Sequence, residues 1–372
     1  MKLTIDRAVL AEAVTWTARA LPSRSPVPVL TGLLLQAEAD GILRLSSFDY
    51  EISARTEVAA EVADAGTVLV SGKLLADIVR SLPSRPVDLV TDGSRVRLAC
   101  GGSKFTLLTM PVDDYPALPA MPDRSGTIDG AVFAHAVAQV AVAASREDSP
   151  PMLAGVRVEI DGDEVTLLAT DRYRLAMRTV GWKPSAPDLK TAALVKARTL
   201  TEVAKALSGG DVTLGLSADD RSGLIGFESG GRRSTSLLMD GQYPRVRALF
   251  PAESPTYAVV DVAALTEAVR RVSLVVERHT AIRLTFDDGT LVIDGGQGED
   301  AQASEAVPCE LVGDGLAIGF NAAYLLDGLA ALSTPSVKVS MTAPGKPAVV
   351  TGQAADGSGD DSFRYLLMPM KL

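Results

Sequence analysis

Most of the chain alternates apolar and polar positions with a period of two, broken by Gly and Asp, the signature of short half-buried strands. Six stretches depart from that rhythm and place apolar residues three and four apart, as an amphipathic helix does: DRAVLAEAVTWTARAL, SGKLLADIVRSL, DGAVFAHAVAQVAVAAS, VKARTLTEVAKAL, DVAALTEAVRRVSLVVE and GFNAAYLLDGLAAL. The first, third and fifth open on an Asp, placed to cap the helix or to favour the positive end of its dipole. The second, fourth and sixth are each followed by a strand pair with turn chemistry in the middle: VDLVTDGSRVRLAC, DVTLGLSADDRSGLIGFES and SVKVSMTAPGKPAVVTGQ. Further alternating segments, such as GILRLSSFDYEISART and DEVTLLATDRYRLAMRT, lie between the helices of a pair.

The order of elements therefore recurs three times. The ends of LLTM, SLLM and YLLM, at Met110, Met239 and Met368, stand 129 residues apart. The helices ending at Leu82, Leu207 and Leu332 step by 125. Solenoid repeats run about 20 to 50 residues, so a period this long predicts three whole domains. Two helices are too few to cover both faces of so many strands, and an α+β arrangement with helices on one side of the sheets follows. Proline-rich stretches at 116–126 and 250–257 read as linkers, giving domains at 1–120, 126–250 and 255–372.

Composition narrows the function. With 372 residues, 47% hydrophobic content and 5% aromatics, the chain is an ordinary globular protein with material for several cores. Cys100 and Cys309 are far apart and match no disulfide or zinc spacing, which suits a reducing cytoplasm. MKLTIDRAVL has no signal-peptide core, and no stretch is apolar for long enough to span a bilayer. No catalytic constellation is evident: His135 sits in an apolar helix, His279 stands beside Arg278, the Asp113-Asp114, Asp219-Asp220, Asp287-Asp288 and Asp360-Asp361 doublets fall in turn-like contexts, and GGQG lacks the lysine of a phosphate loop. No cofactor, metal or enzymatic activity is expected. A net charge of −10 argues against nucleic acid unless the cations are segregated.

MKLTIDR, PVPVLTGLLLQ, LLATDRYRLAM, LLMDGQYP, GFNAAYLLDGL and YLLMPMKL together resemble the bacterial DNA polymerase III beta subunits, the sliding clamps, and ATDRYRL resembles their actinobacterial branch. The resemblance implies three similar domains in an arc, helices on the inner face and sheets outside, closing as a head-to-tail homodimer into a six-domain ring around duplex DNA without sequence preference. It implies as partners the polymerase III alpha subunit, the clamp loader, and other polymerases and repair proteins carrying clamp-binding peptides, in a cytoplasmic, nucleoid-associated setting. Lys and Arg minus Asp and Glu over the six helical windows sum to +3, leaving −13 for the remainder, a segregation that suits a collar which surrounds DNA without gripping it. The DNA-facing candidates are Arg24, Lys73, Arg80, Arg146, Lys196, Arg198, Lys205, Arg270, Arg271 and Arg278, with Arg24 at a matching family position.

The same resemblance implies a peptide groove at Leu153, Thr170, Arg172, Tyr173, Arg174, Leu175, Pro244, Arg247, Leu249, Leu366, Met368, Pro369 and Met370, suited to motifs with a Gln and spaced Leu or Phe. Met is over-used on surfaces that take several partners. YLLM recurs in every repeat and so belongs mainly to the core, whereas PMKL runs past the repeat and is free to serve binding. Arg172, Tyr173 and Ala248 depart from the best-known family pattern. Implied dimer-seam residues are Ile78, Leu82, Phe105 and Leu107 facing Val272 and Leu274. Two other classes remain open, a peptide-binding hub without topological DNA contact and a hydrolase that would depend on Asp171 or His279.

Overall fold

The computed structural model describes residues 1–22, 24–147, 150–216, 223–277, 280–287, 289–296 and 301–372. All six expected helices are present: α1 (Arg7–Thr17), α2 (Gly72–Ser81), α3 (Gly130–Ala141), α4 (Ala197–Ala206), α5 (Val262–Val272) and α6 (Ala322–Ala330). Each is shorter than its apolar pattern, because the flanking residues belong to the preceding strand or turn into 3-10 segments or loops. The Asp caps form: Asp6 Oδ1 accepts the N–H of Ala8 and Val9, Asp129 Oδ1 that of Val132, and Asp261 Oδ1 that of Ala264. A cap of this kind is worth about 1 kcal/mol. Asn321 does the same for α6.

One strand, a helix, a run of strands, a second helix and three strands recur three times, with five, five and four strands between the helices, and every strand pairing among the described residues is antiparallel. The chain packs as two compact units, Met1–Val132 with Trp182–Leu189 and Glu202–Leu238, and Phe133–Gly181 with Lys190–Thr201 and Met239–Leu372. The middle third of the sequence contributes to each.

In the first unit a 14-stranded sheet runs continuously, and strand Arg232–Leu237 joins it by pairing with Ile52–Ala59. Leu10 and Val14 of α1 and Leu75 and Val79 of α2, each pair one turn apart on a single helix face, pack with Leu33, Leu35, Leu43 and Leu45 of the sheet. Burying such a Leu side chain contributes about 1.5–3 kcal/mol. Val58, on the strand that receives Arg232–Leu237, packs against the same core.

The second unit holds a 12-stranded sheet in which strand Arg174–Gly181 pairs with Gly359–Leu367, the last strand of the sequence. That pairing answers why the tail is apolar: Phe363, Tyr365, Leu366 and Leu367 are all buried in the sheet's interior. Gly328 of α6 lets Tyr365 pack flush on the helix, since a Cβ there would lie 2.5 Å from its ring. Gln139 of α3, 3% exposed, donates to the Ala331 carbonyl, and His135 is solvent-exposed with Nε2 3.0 Å from Ser333 Oγ, not packed in the helix core as its sequence context suggests.

Candidate functional site

The groove is built around the turn between strands Glu164–Thr170 and Arg174–Gly181. Asp171 Oδ1 accepts the N–H of both Tyr173 and Arg174 at 3.0 Å, and Thr170 Oγ1 donates to the Arg174 carbonyl while accepting from Arg172 N–H. This Asx turn drives Arg172 to φ 80, a left-handed conformation that favours glycine. The first repeat builds the same turn: Asp49 Oδ1 accepts from Glu51 and Ile52, and Tyr50 sits at φ 74. Among the described residues these are the two non-glycine positions at positive φ. The turn projects Arg172 and Tyr173 outward, and the Tyr173 ring stacks on Tyr324 at 6.4 Å.

Arg174 points the other way. It is 3% exposed, and its guanidinium meets Asp171 Oδ2 at 2.9 Å, Asp327 Oδ2 at 2.6 Å and Tyr365 Oη at 3.3 Å, with the Tyr324 ring 4.3 Å away. Burial works against its charge, but Tyr365 and the two carboxylates outweigh it and raise the guanidinium pKa. Burial also raises the Tyr365 phenol. Arg174 thus lies beneath the groove as a buried support, inward of the exposed positions that the sequence grouped it with. Leu153, Thr170, Leu175 and Leu366 are likewise buried, so they form floor and framework, while Arg172, Tyr173, Pro244, Arg247, Leu249 and Met368 are exposed.

The opposite wall is the segment from Tyr243 to Phe250. Buried Tyr243 and Val246 pack on Leu168, Leu175 and Leu366, and a cavity of 310 Å³ opens between Leu168, Tyr243, Pro244, Val246 and the Arg157–Glu159–Arg247 ion cluster. Arg157 Nε donates to Glu159 Oε1 at 2.6 Å, and Arg247 reaches Oε2 through Nε and Nη2 at 3.0 and 2.6 Å. Burial alone would raise the Glu159 pKa, but hydrogen bonds from the two arginines override it and hold the carboxyl below its usual range. Burial raises the Tyr243 phenol. The tail is not free as its overrun of the repeat suggests: Met368 N–H donates to Tyr173 O and Met370 N–H to Gly319 O, with Leu372 lying against Gly319. Met368, Pro369 and Met370 are therefore a tethered wall of the groove.

The cationic candidates Arg24, Lys73, Arg80, Arg146, Lys196, Arg198, Lys205, Arg270 and Arg271 are all solvent-exposed. Arg278 lies outside the described residues, as does His279. Arg80 pairs with Asp77, Arg270 with Glu267, and Arg271 with Glu305, so three of the cations are partly neutralised locally. Sequence reasoning missed Arg19 and Arg232, which flank the Trp16 ring at 5.9 and 5.5 Å over a cavity beside α1; the short Trp-x-x-Arg spacing was the available signal for Arg19.

The seam assignment is corrected at four of its six residues, while Leu274 stays exposed and Phe105 is half-buried. Ile78, Leu82, Leu107 and Val272 are 8%, 5%, 3% and 1% exposed, buried in their own units' cores, and Phe105 packs against the same core. Strand alternation sends Leu107 inward and Leu108 outward. Leu274 at 84% and Leu108 at 69% are the most exposed large apolar side chains among the described residues.

Among the described residues no group of His, Cys, Asp and Glu could hold a metal, and no helix is long and apolar enough to cross a membrane. A threefold-repeated α+β scaffold with exposed cations on and beside several helices and a groove against its last strand defines a DNA-clamp class of protein. Family comparison is specific: models of the DNA polymerase III beta subunit N-terminal, central and C-terminal domains match residues 1–119, 127–245 and 247–371. The chain is 54% identical over 375 residues to the beta sliding clamp of Streptomyces coelicolor, covering all of both chains. It is 59% identical over 314 residues to that of Micrococcus luteus, covering 84% of this chain and all of the relative. A crystal structure of a Pseudomonas aeruginosa sliding clamp bound to griselimycin matches at a TM-score of 0.92, 29% identity and full coverage of both chains. The chain belongs to the DNA polymerase III beta subunit family, the bacterial sliding clamps, which are processivity factors and not enzymes.

Proposed function

We propose that the chain acts as a head-to-tail homodimer whose three domains per protomer, 1–120, 126–250 and 255–372, close into a six-domain ring around duplex DNA and tether the replicative polymerase. The observation that carries this reading is the threefold recurrence of one helix and strand order across the full length of the family match. Loose encirclement follows from the charge balance: exposed helical cations line the hole weakly, and an acidic exterior limits unspecific adhesion. Arg24, Lys73, Arg80, Arg146, Lys196, Arg198, Lys205, Arg270, Arg271 and Arg278 face the DNA in this reading. Arg172, Tyr173, Pro244, Arg247, Leu249, Met368, Pro369 and Met370, over the buried floor, receive peptides from the polymerase alpha subunit, the clamp loader and repair proteins. A relative crystallised with griselimycin supports a ligand-accepting surface in this fold. The seam uses Leu274 and Leu108, and the protein works in the cytoplasm at the nucleoid.

The deciding experiment loads the protein on nicked circular DNA with its clamp loader and then linearises the circle. Retention on the circle and loss from the linear form is the expected result. Equal retention on both would replace topological linkage with ordinary binding.

A further inference from the structure

The floor of the groove does not end at Leu175 and Leu366. Register carries the same sheet face onward: Leu175 pairs with Leu366, Leu366 with Val349, Val349 with Ser340, and Ser340 with Tyr257. In the neighbouring row Met177 pairs with Arg364 and Thr351 with Lys338. Residues paired directly across antiparallel strands project to one face, so these side chains share the sheet face that floors the groove, with Leu175, Leu366 and Val349 covered by Tyr243, Val246 and Phe250 between the two. A cavity of 460 Å³ lies over the far end of it, bounded also by Pro251, Ala252 and Ser254, which follow directly on the groove-wall residues Leu249 and Phe250.

Two cations define this cavity. Lys338 Nζ sits 4.1 Å from the Tyr257 ring centroid and the Arg364 guanidinium 4.4 Å from that of Phe250. Both are half-buried, and neither has a carboxylate within ion-pairing distance among the described residues. The contrast within the same unit is sharp: Arg157, Arg174, Arg178 and Arg247 are all ion-paired. Asp361 is the one carboxylate lining the cavity, and it is solvent-exposed. An aromatic face beneath a cation fixes its position and strips part of its water, while leaving its outer side free for an anion.

We propose that this cavity receives acidic side chains flanking the apolar anchors of a docked peptide, with Lys338 and Arg364 as the residues that select for them. The proposal rests on the groove reading above and adds a charge preference to it. The wall residues Leu249 and Phe250, which stand between groove and cavity, supply the proximity, and the unpaired cations supply the chemistry.

Fluorescence anisotropy with the full-length protein tests it. Labelled peptides share a Gln and spaced Leu and Phe anchors, and carry three Asp or three Asn at one end or the other. At low salt one of the Asp peptides binds about fivefold more tightly than its Asn twin, and the advantage shrinks as salt rises. Lys338→Gln combined with Arg364→Gln removes the advantage and leaves the Asn peptides unchanged. Equal affinity of both twins in the unaltered protein, or an advantage that survives the double substitution, overturns the proposal alone. Absence of binding by every peptide overturns the groove reading and this proposal with it.

Discussion

Arg174→Met removes the guanidinium that joins the groove turn to α6 and the last strand. Loss of one partner from a buried ion pair costs about 3–5 kcal/mol. Here the penalty falls at the lower end. Asp171 keeps two backbone N–H donors after the change, and Asp327, whose side chain is 38% exposed, can rehydrate. The methionine also refills most of the apolar volume over Tyr324. About 3 kcal/mol is the expected destabilisation, of which about 1–2 kcal/mol reappears as coupling in a double-mutant cycle with Asp171→Asn. In urea, with a slope of about 2.5 kcal/mol/M, the midpoint of the transition that reports this unit moves down by about 1.2 M. Far-ultraviolet circular dichroism follows it. Peptide affinity of the still-folded variant drops as well, because the turn bearing Arg172 and Tyr173 loses its anchor. A midpoint within 0.2 M of the unaltered protein, or strict additivity with Asp171→Asn, refutes the claim that Arg174 is the keystone of the turn.

Arg172→Gly relieves a left-handed residue and raises stability by up to about 1 kcal/mol, seen as an upward shift in thermal melting, whereas Arg172→Ala brings no such gain. Leu274→Asp leaves the protomer folded and converts a dimer of about twice 38.8 kDa to monomers in sedimentation, while Val272→Asp unfolds the protomer because its side chain is core; a dimeric Leu274→Asp variant removes that residue from the seam. The Glu159 carboxyl titrates below its ordinary value of 4.5, so its tether to Arg247 contributes fully above that pH and is lost as pH falls through the depressed value. Glu159→Gln should accordingly flatten the acid limb of a stability–pH profile below 4.5, and an unchanged limb counts against the tether.

Much of this architecture was legible because its causes are local. Asp caps, helical spacing and turn chemistry act within a few residues, and the repeat let each weak signal be read three times over. The tail's core role followed from YLLM by the same logic. What escaped was set by residues far apart in sequence. Arg174 reads as a groove cation in DRYRL, and beyond neighbouring Asp171 it is Asp327, 153 positions away, together with Tyr324 and Tyr365, that holds it inward. PMKL reads as loose, and the backbone of Gly319 ties it down. Leu107 and Leu108 are equivalent to any composition argument, and one step of strand register decides which is buried. Ile78, Leu82 and Val272 carried an expectation taken from resemblance, and helix packing assigned them to the core.

The strand Gly359–Leu367 sits inside its sheet with a neighbour on either side, and one of those neighbours was made 178 residues earlier. At about 5–20 residues per second, a ribosome takes about 10–35 s to travel that distance. Throughout that interval Arg174–Gly181 waits with one hydrogen-bonding edge bare, an invitation to pair with the wrong chain. The first unit faces a similar wait, from Ile52–Ala59 to Arg232–Leu237. Biogenesis of this protein is therefore most exposed to aggregation during translation, before either sheet is sealed, and conditions that slow elongation should lower its soluble yield more than conditions that merely weaken the finished fold.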